Sequence, residues 1–128
     1  MTAGQGCPRF PHIHADLVTF VAEDDIWLAP VAGGRAWRLT ADRVRVYSPC
    51  FSPDGSRIAW AAQRDGAREV WVTPTEGGPA RRLSHWGDPD TAVLGWTAAG
   101  EAPAGRMSRT LTWAHALPLD GGPARELP

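Results

Sequence analysis

His12 and His14 are the first residues whose types and spacing could carry chemistry. Imidazoles at i and i+2 of a strand project from one face, as ligands of a divalent metal must. No Cys, Asp or Glu stands where its spacing evidently completes such a site, so a structural role is expected for the pair. Glu23-Asp24-Asp25 offers adjacent carboxylates, the raw material of acid–base work. At a hairpin tip they are expected to be solvated. Asp88-Pro89-Asp90 reads as a turn, and Ser52 as part of another. The chain has no Gly-x-Ser-x-Gly elbow, no Gly-x-Gly-x-x-Gly and no Walker motif. No Ser has a His and an acid at a motif spacing, although a triad can be assembled from distant positions. His85, beside Trp86, has an open role, and His115 is expected to pack. Cys7 and Cys50 are expected to be free thiols, with Cys50 a small core residue beside Phe51. No catalytic, cofactor-binding or metal-binding residue is therefore expected, and no cofactor.

The elements that position these residues follow from a repeat. Gly33-Gly34, Gly77-Gly78 and Gly121-Gly122 recur every 44 residues, as do Leu39, Leu83 and Leu127, and Pro30, Pro74 and Pro118. Arg38 and Arg82 share a slot that Glu126 fills in the third copy. Trp27 and Trp71 share another, filled by His115. Upstream, Phe51-Ser52-Pro53-Asp54-Gly55 corresponds to Trp96-Thr97-Ala98-Ala99-Gly100 at an offset of 45, so one residue has been lost between the two landmarks. A period near 44 with short strands implies propeller blades.

The strand pattern agrees. Copy two has Arg57–Ala62, Glu69–Thr73 and Ala80–Leu83, rich in aromatic and β-branched residues. Ser52-Pro53-Asp54-Gly55, Arg64-Asp65-Gly66 and Glu76-Gly77-Gly78-Pro79 are its turns. Four strands joined by three turns make one antiparallel blade. Copy one has strands Leu17–Ala22, Ile26–Val31 and Ala36–Leu39, with a hairpin about four residues shorter. In copy three, Glu101 to Arg109 falls where a central strand belongs. Its Pro103, Gly105 and scarcity of apolar residues demote it, so this stretch is expected to be eroded. The expected fold is all-β: about two and a half to three four-stranded blades at 10–40, 48–84 and 93–128. Trp27, Trp60, Trp71 and Trp96 are assigned to packing between blades. The regular blade at 42–84 is expected to be the best ordered.

The chain has 128 residues with 43% hydrophobic and 21% charged, within the range of ordinary globular proteins. Thirteen basic residues, all Arg, balance fourteen acidic ones for a net charge of −1. Without a basic cluster there is no electrostatic footprint for nucleic acid. No apolar run reaches the roughly 18 residues of a membrane span. Met1 to Phe10 lacks a charged start leading into an apolar stretch, so no secretory signal is expected there.

These repeats resemble the TolB-like, WD-type propeller repeat. Residues 52–83 carry its Ser-Pro-Asp-Gly turn, apolar strand, Arg-Asp-Gly hairpin and Gly-Gly turn before Arg-Arg-Leu. Pro8-Arg9-Phe10-Pro11-His12-Ile13-His14, Asp16–Ala22 and Asp24-Asp25-Ile26-Trp27-Leu28 are similar to the opening of actinobacterial tricorn proteases. His85-Trp86-Gly87-Asp88-Pro89 and Pro118-Leu119-Asp120-Gly121-Gly122 fit the same family. The resemblance implies a large, oligomeric, cytoplasmic serine peptidase whose propellers gate substrate entry and product exit. Its catalytic residues lie in a C-terminal part to which nothing here corresponds.

The resulting expectation is a non-catalytic propeller piece whose partners are peptides, other protease domains or other subunits. A stand-alone peptide- or protein-binding module that completes its ring as a homo-oligomer is the alternative. A periplasmic TolB-type scaffold is a third reading, disfavoured by the missing signal segment.

Overall fold

Alternating apolar residues in short runs, each closed by Gly, Pro or Asp, dictate hairpins rather than helices. The computed structural model describes residues 9–98, 100–107, 112–120 and 122–128. It contains twelve strands in three antiparallel sheets of four. The first sheet is β1 (Arg9–His14), β2 (Leu17–Ala22), β3 (Asp25–Pro30) and β4 (Trp37–Arg38). The second is β5 (Val46–Phe51), β6 (Arg57–Asp65), β7 (Ala67–Pro74) and β8 (Arg81–Arg82). The third is β9 (Ala92–Val93), β10 (Ala102–Met107), β11 (Thr112–Leu117) and β12 (Arg125–Glu126). Each sheet is a meander in chain order, the pattern of propeller blades. The first strands pack on one another, β1 on β5 and β5 on β9, and so form one inner rim.

Two cores lie between the sheets, and the pleat sorts residues between them. Ile58, Trp60 and Ala62 of β6 join Val21, Ile26 and Leu28 of the first blade. Ala59 of β6, with Val70 and Val72 of β7, faces the third blade and meets Val93, Ala102, Ala104 and Leu117. The second blade is thus covered on both faces, which explains why its strands read as continuous apolar runs. Trp60 and Trp71 lie in the first core, and Trp86 and Trp96 pack on the second.

Cross-strand pairing matches the repeat. Phe20 opposes Trp27 as Trp60 opposes Trp71. Leu39, Leu83 and Leu127 each donate their N–H to the third strand of their own blade, at 2.8 Å from the carbonyls of Ile26, Val70 and Ala114.

The third blade corrects one expectation. Ala102–Met107, demoted above as eroded, is a central strand. It pairs with β11 over six residues and with β9 through Ala104 and Gly105. Its scarcity of large side chains reflects close packing: Ala102 and Ala104 are fully buried. A Cβ on Gly105 would meet Leu94 at 3.2 Å. Pro103 falls beyond the two residues that β9 pairs with. Ser108 and Arg109 of that stretch, and Cys7, lie outside the described residues.

The Ser52–Arg57 turn shows where the repeat lost its residue. Ser52 N–H donates to Arg57 O at 2.8 Å, and Gly55 N–H to Ser52 O at 2.9 Å. In the third blade Thr97 N–H donates to Glu101 O at 2.8 Å, and Gly100 N–H to Thr97 O at 3.0 Å. Gly55 corresponds to Gly100 and Arg57 to Glu101, so Ser56 has no counterpart. Gly55 has φ +75°, and a Cβ there would collide with the His14 ring. Gly33 has φ +99° but open space around it. Gly55→Ala is therefore expected to destabilise the chain by about 2–3 kcal/mol, and Gly33→Ala by only about 1 kcal/mol. Equilibrium denaturation of both variants checks the difference.

Candidate functional site

The inner rim gathers most of the residues singled out by type. β1 and β5 each carry a bulge, between Arg9 and His12 and between Tyr47 and Cys50. Each bulge holds a left-handed residue before a proline, Phe10 (φ 55°) before Pro11 and Ser48 (φ 48°) before Pro49. Proline offers no N–H, so leaving the ladder there forfeits no donor. Phe10-Pro11-His12, Ser48-Pro49-Cys50 and Val93-Leu94-Gly95 converge on a cavity of about 260 Å³. Phe10 and Leu94 stay exposed at this rim, at 39% and 56%.

His12 and His14 do share a face, but they meet protein rather than metal. Both rings lie against Phe51, with centroids 5.9 and 5.8 Å away. His12 Nδ1 accepts the Phe51 N–H at 3.1 Å, and His14 Nε2 donates to Pro53 O at 3.0 Å. Desolvation, and secondarily the neighbouring His14, hold the His12 pKa below its ordinary value. Among the described residues, no group of three or more His, Cys, Asp or Glu could hold a metal ion.

Ser52 is committed to its turn. Its hydroxyl donates to Asp54 Oδ1 at 2.7 Å and accepts the Arg57 N–H at 3.0 Å. Asp54 also accepts from Ser56 N–H and Oγ at 3.0 and 2.7 Å. These bonds, led by the Ser56 backbone, pull its pKa down to about 2. Asp88 closes an Asx turn with Asp90 N–H at 2.9 Å. Cys50 is buried, and burial pushes its thiol up to about 11, the opposite of an activated nucleophile. His85 is exposed. His115 lies 5.1 Å from Trp86, centroid to centroid, with Nδ1 buried and unpartnered.

The acidic tip is not uniformly solvated. Glu23 and Asp24 are at the surface, but Asp25 is 1% exposed. Asp25 Oδ1 accepts from Thr40 Oγ1 at 3.0 Å and from Arg43 N–H at 3.3 Å, and Arg38 Nε stands 3.8 Å from Oδ2. Thr40 Oγ1 in turn accepts the Ile26 N–H at 3.0 Å. The same station recurs 44 residues on. Glu69 accepts from Ser84 Oγ and Gly87 N–H, and its Oε1 lies 3.5 Å from Arg82 Nη2. Ser84 Oγ accepts the Val70 N–H at 2.9 Å. Arg43 and Gly87 are both left-handed, at φ 56° and 66°. A buried carboxylate, a hydroxyl relay and an arginine thus fasten the third strand of the first and of the second blade to the linker leaving that blade.

Sequence reasoning missed this station because identity changes between copies. Asp becomes Glu and Thr becomes Ser, while the third copy places Trp113 and Pro128 at these positions. The detectable signal was spacing: acid, Arg and hydroxyl at 25, 38 and 40, and again at 69, 82 and 84.

Comparison with known proteins bears on what such a scaffold serves. A family model described as the tricorn protease N-terminal beta propeller domain matches residues 6–128. Tricorn protease homolog 1 of Streptomyces coelicolor is 60% identical over 124 residues, which cover 94% of this chain and 12% of that protein. A Sulfurisphaera tokodaii protein named as a tricorn-like protease N-terminal subunit is 32% identical over 95 residues, 71% of this chain and 48% of that one. The crystal structure of the tricorn protease superposes with a TM-score of 0.84 at 20% identity, over 96% of this chain and 13% of that one. This last likeness shows the fold: the three sheets are blades of a β-propeller. No helix among the described residues is long and apolar enough to cross a membrane.

Proposed function

The chain belongs to the family of tricorn protease N-terminal β-propeller domains, and from that premise we propose that it serves a tricorn-type serine protease as a non-catalytic propeller segment in the cytoplasm. Its blades, at 10–40, 48–84 and 93–128, guide peptides rather than cleave them. The observation that carries this reading is the family match over residues 6–128. The apolar rim of Phe10 and Leu94 supports it, since peptide side chains passing the inner strands would meet these residues. None of the chain's residues is assigned a catalytic, cofactor or metal role. The remaining protease domains, and peptides in transit, are its partners.

The test is a chain-length series of fluorogenic peptides given to the longer protease. Leu94→Trp narrows the rim and is expected to lower kcat/KM for long peptides several-fold while sparing short ones. Equal effects at all lengths would remove the guiding role. Peptidase activity in residues 1–128 alone, abolished by a point substitution, would remove the non-catalytic one.

One observation favours a second reading. The Sulfurisphaera relative is named as an N-terminal subunit. A propeller piece acting as its own subunit would complete its ring by association. Size-exclusion of the native chain distinguishes the two readings.

A further inference from the structure

The seam between the first two blades is fastened at the inner rim by two imidazoles that respond differently to a proton. His14 uses Nε2–H to donate to Pro53 O at 3.0 Å, and a protonated ring would still donate there. His12 uses Nδ1 as an acceptor for the Phe51 N–H at 3.1 Å, which requires that nitrogen to be unprotonated. A second proton on His12 would turn N–H toward N–H. β1 belongs to the sheet of β2, and β5 to the sheet of β6, so no backbone ladder joins them. We infer that His12 is an acid-sensitive latch: protonation releases the Phe51 amide and loosens β1 from β5.

The surroundings leave the latch to the imidazoles. β2 carries no ionisable side chain, and neither does β9. β5 contributes a phenol, Tyr47, and the Cys50 thiol, and acid adds charge to neither. The adjoining turn contributes Asp54, which stays ionised until about pH 2. On β1 itself Arg9 is engaged 3.6 Å from Asp24, and Asp16 lies at the β1–β2 turn. The neighbouring His14 ring opposes a positive charge on His12 while the latch is shut.

The direction follows from linkage. The folded His12 binds its proton less readily than the unfolded residue, whose pKa is 6.5. The contact is therefore intact above 6.5 and weakens as pH falls from there toward the lowered value.

Hydrogen–deuterium exchange at the Phe51 amide, corrected for intrinsic rate, tests this in the full chain. Protection should fall about five- to tenfold between pH 7.5 and pH 5. His12→Asn places an amide oxygen where Nδ1 stood, and should keep protection at both pH values. His14→Gln should retain the pH response. Protection at Phe51 that does not change with pH, or a pH response that survives His12→Asn, would overturn the latch.

Discussion

Trp60→Ala is expected to destabilise the chain by about 3–5 kcal/mol, the range for emptying a buried aromatic site. Trp60 is 1% exposed and stands in the core between the first and second blades, opposite Trp71 across the strand pair. Its neighbours cannot collapse into the space. Ile26 and Leu28 come from one sheet and Ile58 and Trp71 from the other, each held in a hydrogen-bonded ladder. The blades contact mainly their neighbours, so the loss should uncouple the first blade from the second. Phe20 holds the matching position in the first blade but is only half-buried. Phe20→Ala should cost under half as much. Denaturant melts of both variants, followed by Trp fluorescence, check the order. Equal costs would mean that the core between the blades is not where stability resides.

Removing the Glu69 carboxylate is expected to cost a similar amount. Glu69→Ala would leave the Ser84 hydroxyl, the Gly87 N–H and the Arg82 guanidinium without their shared acceptor at a 1% exposed position. Breaking a buried pair from one side costs about 3–5 kcal/mol. The first blade supplies the control, because it builds the same station from Asp25 and Thr40. Glu69→Asp combined with Ser84→Thr should therefore recover most of the loss. Thermal unfolding of the three proteins checks this. A Glu69→Ala chain as stable as the parent would show that the carboxylate does not fasten the β7 end to its linker.

Much of the architecture was legible because it is written in local chemistry. Gly33 and Gly77 each donate to the carbonyl of the proline three residues earlier, at 3.2 and 3.0 Å, and such turns recur by identity. Trp60 and Trp71 could be assigned to packing because large aromatics at repeat positions need a core. Three features were not legible. Asp25 stands in an acidic run, yet its place as the first residue of β3 brings Thr40 and Arg43 from distant sequence onto its carboxylate. Ala102–Met107 lacks bulk, but Leu94 and the second core leave room only for small residues there. The His12–His14 pair has metal-ligand spacing, and only the fold brings the Phe51 amide and the Pro53 carbonyl to the two rings. Each depends on contacts more than 10 residues apart in sequence, which spacing alone does not encode.

On the proposed function, these blades are the propeller portion of a larger tricorn-type protease. The relatives that match nearly the whole chain are far longer than it, since 94% of this chain covers 12% of the Streptomyces coelicolor protein. An immunoblot of native cell extract with an antibody raised against residues 1–100 tests this. A band far above 13.8 kDa is the predicted result. A single band at 13.8 kDa would contradict it and leave the self-completing subunit in its place.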